Sequence, residues 1–168
     1  MKKIIIIGCS GSGKTTFSEK LQSKLGIPLF HLDAIWHKAD RTHISREEFD
    51  ARLSDILALD EWMIDGNYSR TLERRMAACD TVFFLDLPTE ICLDGAISRL
   101  GKERIDMPWI DTELDPWLKS SIENFPSNDR PAIYDLLQKY KDKNIVIFKS
   151  REEADEFLNQ LEKIGENI

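Results

Sequence analysis

The sequence predicts an α/β fold in which a parallel β-sheet carries helices on both of its faces. Throughout the 168 residues, short β-branched and apolar runs alternate with segments whose apolar residues recur at helical spacing. Such alternation is typical of parallel strands that are joined by crossover helices. A glycine-rich turn also stands between the first predicted strand and the first predicted helix. Together these observations predict a parallel, five-stranded sheet.

The strands are short apolar runs with clear ends. The first contains four consecutive isoleucines and reads as a strand that is buried on both faces. The fourth ends at Pro88, which cannot donate a hydrogen bond to a continuing sheet. The five strands are predicted at residues 3–7, 29–32, 62–65, 81–86 and 144–148.

The helices carry start and stop signals of their own. Gly26 ends the first helix, and Ser45 with Glu48 forms a capping box at the start of the second. Ser150 and Glu153 make a similar start for the last helix. Helices are predicted at residues 14–25, 45–59, 69–77, 89–100 and 130–140, with a final helix after Ser150.

Residues 101–130 interrupt the alternation. This stretch holds three prolines and two tryptophans, and Asp115 followed by Pro116 predicts the start of a helix that runs to Asn124. We interpret it as an insertion over the carboxyl edge of the sheet and expect residues 1–168 to form one domain.

Composition excludes several classes of protein. The net charge is −7, with 42% hydrophobic and 32% charged residues, as in soluble globular proteins. No apolar run approaches the ~20 residues of a membrane span, so no membrane association is expected. Three cysteines without paired spacing indicate reduced thiols in a cytoplasmic protein. The acidic balance argues against direct binding to nucleic acid, and the oligomeric state is left open.

The strongest motif is a phosphate-binding loop. Residues 8–15 read GCSGSGKT, which matches G-x-x-x-x-G-K-[ST] between a strand and a helix. Glycines allow backbone amides to turn around phosphate oxygens at the positive end of the helix. Lys14 would reach the β- and γ-phosphates of ATP, and the Thr15 hydroxyl would bind Mg²⁺. The predicted nucleotide-binding residues are Gly8, Ser10, Gly11, Ser12, Gly13, Lys14, Thr15 and Thr16.

Other motifs narrow the kind of P-loop protein. The sequence contains neither an Asn-Lys-x-Asp motif, which GTPase switches use to read guanine, nor a Leu-Ser-Gly-Gly signature of transporter ATPases. The short chain has the size of a small-molecule kinase, an analogy at the level of the fold.

Carboxylates follow two of the predicted strands. Ligands of open parallel sheets bind beyond the carboxyl ends of the strands. Asp33 would there bind an acceptor or accept its hydroxyl proton; the alternative is an aspartate that caps a helix from Ala34 onward. Asp65 would hold Mg²⁺ through water, and Gly66 would let the backbone approach a ligand. Asp86 competes with Asp65 for the metal, unless it simply ends its strand.

Phosphoryl transfer also needs positive charge around the moving group. Arginines occur after the Asp-Gly turn and around the predicted insertion, though exposed helical arginines are ordinary. Trp36 and Tyr68 could form an aromatic wall or belong to the core. The arginines in question are Arg70, Arg74, Arg75, Arg99, Arg104 and Arg130.

Over most of its length the sequence resembles the adenylate-kinase-like P-loop proteins known as DNA topology modulation proteins. The resemblance is carried by residues 8–15, 31–33, 45–49, 62–68, 85–88 and 104–107, with Trp36, Thr71, Leu72, Arg75, Cys92, Leu93, Arg99, Gly101 and Lys102.

This resemblance implies a nucleoside-monophosphate-kinase-like fold with strand order 2-3-1-4-5 and a lid. By the same similarity, Arg99 and Arg104 would be lid arginines that close over the phosphates, and Arg75 would lie on the acceptor side. The loop near Ser150 and Arg151 would receive adenine.

We therefore expect an ATP- and Mg²⁺-dependent phosphotransferase of a small acceptor, with a nucleoside monophosphate as the leading acceptor. A hydroxylated metabolite is an alternative because Asp33 suits a hydroxyl. A nucleotide-binding regulator that acts on DNA or on a protein partner is the rival from another class, and a plain ATPase is a third hypothesis.

The catalytic residues would be Lys14, Asp33, Arg99 and Arg104. The acceptor would contact Asp33, Trp36, Asp65, Gly66, Tyr68 and Arg75. Thr15 and Asp65 would hold the metal.

Overall fold

The computed structural model describes residues 1–165, with side chains described through residue 161. Its centre is a five-stranded sheet in the order β2-β3-β1-β4-β5, and every neighbouring pair is parallel. This confirms the predicted fold class and strand order. The strands are β1 (Lys3–Gly8), β2 (Leu29–His31), β3 (Trp62–Asp65), β4 (Thr81–Leu85) and β5 (Asn144–Phe148).

Eight helices connect or flank these strands within the described part of the chain. They are α1 (Lys14–Leu25), α2 (Leu32–Trp36), α3 (Arg46–Ala58), α4 (Ser69–Ala78), α5 (Thr89–Ser98), α6 (Pro116–Asn128), α7 (Arg130–Lys139) and α8 (Arg151–Gly165). The short helix α2 was not predicted, and it begins at Leu32, which the sequence had suggested as the end of a strand. None of the described helices is long and apolar enough to cross a bilayer.

Helices lie on both faces of the sheet, and two neighbouring phenylalanines of β4 define the faces. Successive side chains of a strand point to opposite sides. The ring of Phe83 contacts Phe17 of α1 and Phe157 of α8 at centroid distances of 5.2 Å each. The ring of Phe84 instead meets Tyr134 of α7 at 5.7 Å. Helices α1 and α8 therefore cover one face, and α7 covers the other.

The core is densest around β1, whose four isoleucines at residues 4–7 are all 0% exposed. Burial on both faces explains why this strand has no alternation of polar and apolar residues. Burial of one such side chain contributes about 1.5–3 kcal/mol relative to its exposure. This strand, buried from Ile4 to Gly8, leads directly into the phosphate-loop motif and fixes where that loop begins.

The predicted insertion divides into two parts. Residues 99–115, which we call the α5–α6 loop, contain no helix and only the isolated bridge between Arg104 and Met107. Helix α6 then packs against α5 and α7, and its Ile122 and Phe125 are buried. The helix continues to Asn128, beyond the predicted end at Asn124. Both parts lie over the carboxyl edge of the sheet, because the α5–α6 loop and residues of α6 such as Trp117 and Leu118 line one cavity there.

Candidate active site

The phosphate loop is held close to α5 by the small size of its glycines. Gly11 has a φ of +80°, and a Cβ atom built on it would lie 1.9 Å from the carbonyl oxygen of Cys92. Only glycine combines this backbone conformation with this close approach. The ammonium of Lys14 donates to the Cys9 carbonyl oxygen at 3.0 Å, which curls the lysine side chain over the loop. The loop is therefore shaped by backbone contacts and exposes its turn to the cavity above it.

The Thr15 hydroxyl is the point at which two carboxylates meet. Its Oγ1 lies 3.2 Å from Oδ2 of Asp65 at the end of β3. The same oxygen lies 3.0 Å from Oδ2 of Asp106, in the α5–α6 loop. The sequence predicted that Thr15 and Asp65 share a metal, and the fold brings these two side chains together. The sequence did not identify Asp106 as a member of the site.

Asp65 is buried, with 4% of its surface exposed. Its Oδ2 accepts from Nδ1 of His31 at 3.0 Å. Burial of His31 favours the neutral ring, but the hydrogen bond and charge of Asp65 outweigh it and raise the pKa of His31. The other oxygen, Oδ1, is buried and has no hydrogen-bond partner among the described residues. A buried, unpaired carboxylate oxygen is costly and is typical of a position that meets a ligand or water.

Asp106 is as buried as Asp65, with 4% of its surface exposed. Burial by itself would raise its pKa, but Arg104 outweighs this and lowers the pKa of Asp106. Arg104 donates from Nε at 3.0 Å and from Nη2 at 2.7 Å, which is a bidentate pair. Arg104 also lies within 3.9 Å of Asp111. One of the two predicted lid arginines is thus oriented by a carboxylate that also touches the phosphate loop.

Asp33 forms the acceptor side of the cavity together with aromatic rings. Tyr68 donates its hydroxyl to Asp33 Oδ1 at 2.8 Å, and burial together with the charge of Asp33 raises the pKa of Tyr68. Tyr68 has a left-handed backbone with a φ of 35°, a strained conformation that often marks a functional site. Trp36 stacks on His43 with centroids 4.4 Å apart, and Phe49 stacks on Tyr68 at 5.2 Å. Trp36 and Tyr68 therefore serve both as core and as cavity wall.

The structure corrects the expectation that Arg75 contacts an acceptor. Its side chain is 0% exposed and does not line the cavity. Nη1 donates to the Gly66 carbonyl oxygen at 2.8 Å, and Nη2 donates to the carbonyl oxygens of Asn67 and Tyr68. Burial lowers the pKa of Arg75 to about 9, so the guanidinium stays charged at neutral pH. Helix α4 thus turns this arginine under the loop that carries Tyr68, where it can shape the acceptor wall only indirectly.

Other predicted residues also lie apart from the cavity. Ser12 of the phosphate loop is 0% exposed, so its side chain is not available to a nucleotide. Arg70 forms a bidentate pair with Asp50, and Arg74 donates to Ser54, so both link α4 to α3. Arg70 and Arg74 are thus exposed arginines of a helix surface, which was the alternative interpretation of the sequence.

Asp86 does not compete for the metal. It is buried at the end of β4 and accepts from Arg130 at 2.8 Å, from Tyr134 at 2.7 Å and from Lys149 at 2.5 Å. Burial would raise the pKa of Asp86, but these donors outweigh it and lower the pKa. Arg130, predicted near the phosphates, is therefore engaged in a structural ion pair.

The remaining predicted residues line one cavity of about 1200 Å³ above the carboxyl edge of the sheet. Arg99 faces it, and its burial lowers its pKa. Trp117 at the start of α6 also lines it and is 76% exposed. Arg151 reaches it from α8 and donates to the Gly11 carbonyl oxygen at 3.0 Å. The predicted residues in the lining are Gly8, Ser10, Gly11, Gly13, Lys14, Thr15, Thr16, Asp33, Trp36, Asp65, Gly66, Tyr68, Arg99 and Arg104.

The donor set fits a magnesium–nucleotide complex. Thr15, Asp65 and Asp106 offer only oxygen atoms, which are the ligands that Mg²⁺ prefers. Within residues 1–161 no three His, Cys, Asp or Glu side chains form a complete metal cage. Mg²⁺ usually keeps several waters and takes one or two carboxylates together with substrate phosphates. The buried Oδ1 of Asp65, which has no hydrogen-bond partner among the described residues, would give such a hydrated metal a polar partner.

No protein-family model matches the chain, and no curated protein matches it. Solved structures match the chain over most of its length. Shikimate kinase from Bacteroides thetaiotaomicron matches with a TM-score of 0.57 and 17% identity over 97% of each chain. Shikimate kinase from Acinetobacter baumannii in complex with shikimate matches with a TM-score of 0.62 and 14% identity over 97% of this chain and 94% of that one. A sugar kinase from Janibacter sp. HTCC2649 matches with a TM-score of 0.52 and 15% identity, covering 95% and 91%.

At these identities the similarity defines the fold. The chain has a P-loop kinase fold, with the five-stranded parallel order seen in nucleoside-monophosphate-kinase-like proteins. The resemblance to DNA topology modulation proteins stays a prediction from the sequence motifs.

Proposed function

We propose that this protein is a Mg²⁺- and ATP-dependent kinase that phosphorylates a hydroxyl group of a small molecule. The observation that carries the proposal is the shared cavity: Lys14 and Thr15 line it from the phosphate loop, and Asp33 lines it from the acceptor side. Phosphoryl transfer requires a held phosphate chain and a polar group at the acceptor in one water-poor space.

A hydroxyl acceptor is favoured by the charge on the acceptor side. The three arginines that follow β3 are engaged with Asp50, with Ser54 and with buried carbonyl oxygens. The carboxylate of Asp33 faces the cavity there and would repel an acceptor phosphate. Arg41 also lines the cavity, but its guanidinium lies over the Trp109 ring, 5.6 Å from the ring centroid. Oδ1 of Asp33 accepts from Tyr68, and its Oδ2 has no hydrogen-bond partner among the described residues. That oxygen is therefore available to an acceptor hydroxyl. Kinases of shikimate and of a sugar, both hydroxylated compounds, share the fold.

In the proposed reaction the acceptor oxygen attacks the γ-phosphorus of ATP. A new oxygen–phosphorus bond forms, the bond between the γ-phosphorus and the bridging oxygen breaks, and ADP leaves. Asp33 orients the hydroxyl and accepts its proton as the new bond forms. Tyr68 holds the carboxylate in place, and its raised pKa keeps the phenol protonated as a donor.

The remaining residues bind and neutralise the phosphates. Backbone amides of the phosphate loop and Lys14 would hold the phosphate chain. Thr15 and Asp65 would hold Mg²⁺, which when bound neutralises charge on the β- and γ-phosphates. Arg99 and Arg104 line the same cavity and would place positive charge beside the transferring group. The α5–α6 loop that carries both arginines would act as the lid.

A nucleoside monophosphate is the second candidate acceptor. It rests on the resemblance to adenylate-kinase-like proteins and on the aromatic wall of Trp36 and Tyr68, which a base could contact. For such an acceptor Asp33 would face ribose hydroxyls, and its phosphate would have to reach Arg99 or Arg104.

The test is acceptor-dependent release of ADP from Mg-ATP. The acceptors are sugars, hydroxy acids including shikimate, and the common ribo- and deoxyribonucleoside monophosphates. Lys14→Ala serves as the inactive variant, and Lys20→Ala, an exposed lysine of the same helix that pairs with Asp155, is the matched control. We expect turnover with a hydroxylated acceptor that is lost in Lys14→Ala and kept in Lys20→Ala.

Two results would contradict the proposal. ATP consumption that ignores every acceptor would indicate an ATPase. Nucleotide binding without turnover, together with a salt-sensitive shift of duplex DNA, would indicate the regulatory protein instead.

A further inference from the structure

The Thr15 hydroxyl lies within hydrogen-bond distance of more acceptor groups than it can donate to. Thr15 Oγ1 carries a single proton, yet it lies 3.2 Å from an oxygen of Asp65 and 3.0 Å from an oxygen of Asp106. Thr15 can donate to only one of them at a time. Two buried carboxylates that converge on one neutral group repel each other unless a cation lies near. Arg104 supplies such a cation to Asp106, but one of the two contacts to the Thr15 hydroxyl still lacks a proton.

Each carboxylate has one further partner besides Thr15. Asp65 accepts from His31 at 3.0 Å, and Asp106 accepts from Arg104 at 2.7 and 3.0 Å. Both partners bind the same Oδ2 atoms that approach Thr15, whereas Asp65 Oδ1 is buried without a hydrogen-bond partner among the described residues. The unsatisfied oxygen thus belongs to Asp65, which lines the cavity together with Thr15 and Asp106.

Asp106 differs from Thr15 and Asp65 in the kind of element that carries it. Thr15 and Asp65 belong to elements that the sheet fixes, whereas Asp106 comes from the α5–α6 loop, 91 residues after Thr15. It is nevertheless 4% exposed, and it is the residue that orients Arg104. The loop that carries the phosphate-neutralising arginine is therefore anchored at the metal position by a carboxylate.

We propose that Asp106 is a positioning residue of the magnesium–nucleotide site, and that it couples metal binding to the placement of Arg104. This inference rests on the proposed kinase function. With Thr15 and Asp65, Asp106 completes an oxygen-rich face for the hydrated metal, and its other hydrogen bonds hold the guanidinium of Arg104. Binding of the metal stabilises Asp106 in this position, and Arg104 is held beside the phosphates as a result.

The test measures metal affinity rather than turnover. Mn²⁺ replaces Mg²⁺ as the probe, and its binding to the protein–ADP complex is followed by electron paramagnetic resonance. Asp106→Asn keeps the size of the side chain and removes its charge. Asp111→Asn is the matched control, because Asp111 lies on the same loop, lies 3.9 Å from Arg104 and makes no contact with Thr15.

We expect Asp106→Asn to weaken Mn²⁺ binding about tenfold or more, because the loss of a carboxylate from the outer shell of a metal site commonly has an effect of this size. Asp111→Asn should stay within about twofold of the wild type. Affinity for ADP in the presence of EDTA should be unchanged or tighter in Asp106→Asn, because a negative charge near the phosphates is lost. A variant that merely damaged the fold would lose ADP binding as well. Asp106→Glu, which restores the carboxylate, should recover part of the Mn²⁺ affinity.

The inference is overturned if Asp106→Asn binds Mn²⁺ within twofold of the wild type, or if Asp111→Asn loses as much affinity. Equal loss of metal-free ADP binding in Asp106→Asn would also overturn it and assign Asp106 a structural role. These results are distinct from failure of the proposed function, which would appear in the wild-type protein as an absence of nucleotide binding or of acceptor-dependent turnover.

Discussion

Replacement of Arg75 tests whether this buried cation shapes the acceptor wall. Arg75→Met keeps a long side chain of similar shape but removes every hydrogen-bond donor. In the native structure these donors satisfy the carbonyl oxygens of Gly66, Asn67 and Tyr68. We expect the substitution to destabilise the protein and to loosen the loop that carries Tyr68, and with it the hydrogen bond from Tyr68 to Asp33.

The size of the effect follows from these contacts. A buried acceptor that loses its partner costs about 1–3 kcal/mol. The carbonyl oxygens of Gly66 and Asn67 lose the donor that Arg75 supplies, whereas that of Tyr68 still accepts from the Thr71 amide at 2.9 Å. The same change removes the cost of burying a cation, which is several kcal/mol. Because that gain offsets part of the loss, we expect a net decrease of about 1–3 kcal/mol in the free energy of unfolding. A domain with a total stability of about 5–15 kcal/mol would remain folded and measurable.

Urea denaturation of the wild-type protein and of Arg75→Met measures this loss of stability. Arg74→Met is the matched control, because Arg74 is the preceding residue on α4, is exposed and donates only to Ser54. It should change stability by less than about 0.5 kcal/mol. If Arg75→Met is as stable as the Arg74→Met protein, Arg75 does not hold the loop. A raised KM for the acceptor with unchanged stability would restore the direct contact that the burial of Arg75 contradicts.

Three further predictions concern the loop, a buried carboxylate and a helix cap. Gly11→Ala should abolish ADP binding in calorimetry because its Cβ would lie 1.9 Å from a carbonyl oxygen, whereas Gly101→Ala, with φ +72° and nothing within 4 Å, should keep binding. Equal binding by both variants would contradict the close approach. Asp86→Asn should cost about 1–3 kcal/mol at neutral pH, where its three donors are bound to a carboxylate. Because the pKa of Asp86 is lowered in the folded state, its contribution is present above the unfolded pKa of about 3.9 and is lost as the pH falls through the folded value. The difference between variant and wild type should shrink on acidification, and a pH-independent difference would refute this reasoning. Ser45→Ala should lower the free energy of unfolding by about 1 kcal/mol, since Ser45 accepts from the Glu48 amide at 3.1 Å; an unchanged denaturation midpoint would exclude the cap as a source of stability.

Features that depend on neighbouring residues could be predicted from the sequence. The phosphate loop is a local motif, and its strand and helix begin within one or two residues of the predicted positions. The Ser45 cap was also local and is present. Strand order is not local, and it came from the family resemblance rather than from the periodicity of the residues.

Features that depend on distant contacts could not be predicted in the same way. Asp106 lies in a loop without periodicity, and its partner Thr15 is 91 residues away. Nothing in the spacing of either residue indicates that they meet. Arg75 is different, because Leu72 and Met76 of the same helix are buried with it. Its position on that apolar face indicates burial. The prediction instead gave more weight to the charge of the arginine.

The central claim is that nucleotide and acceptor meet in one cavity where Asp33 serves the acceptor. Acceptor-dependent ADP release by Asp33→Asn, compared with wild type, tests it most directly. The account predicts that kcat falls about 10²–10⁴-fold because the proton acceptor is lost, while the affinity for Mg-ADP stays within about twofold, because Asp33 lies on the acceptor side. An Asp33→Asn protein that turns over its acceptor at the wild-type rate would contradict the account.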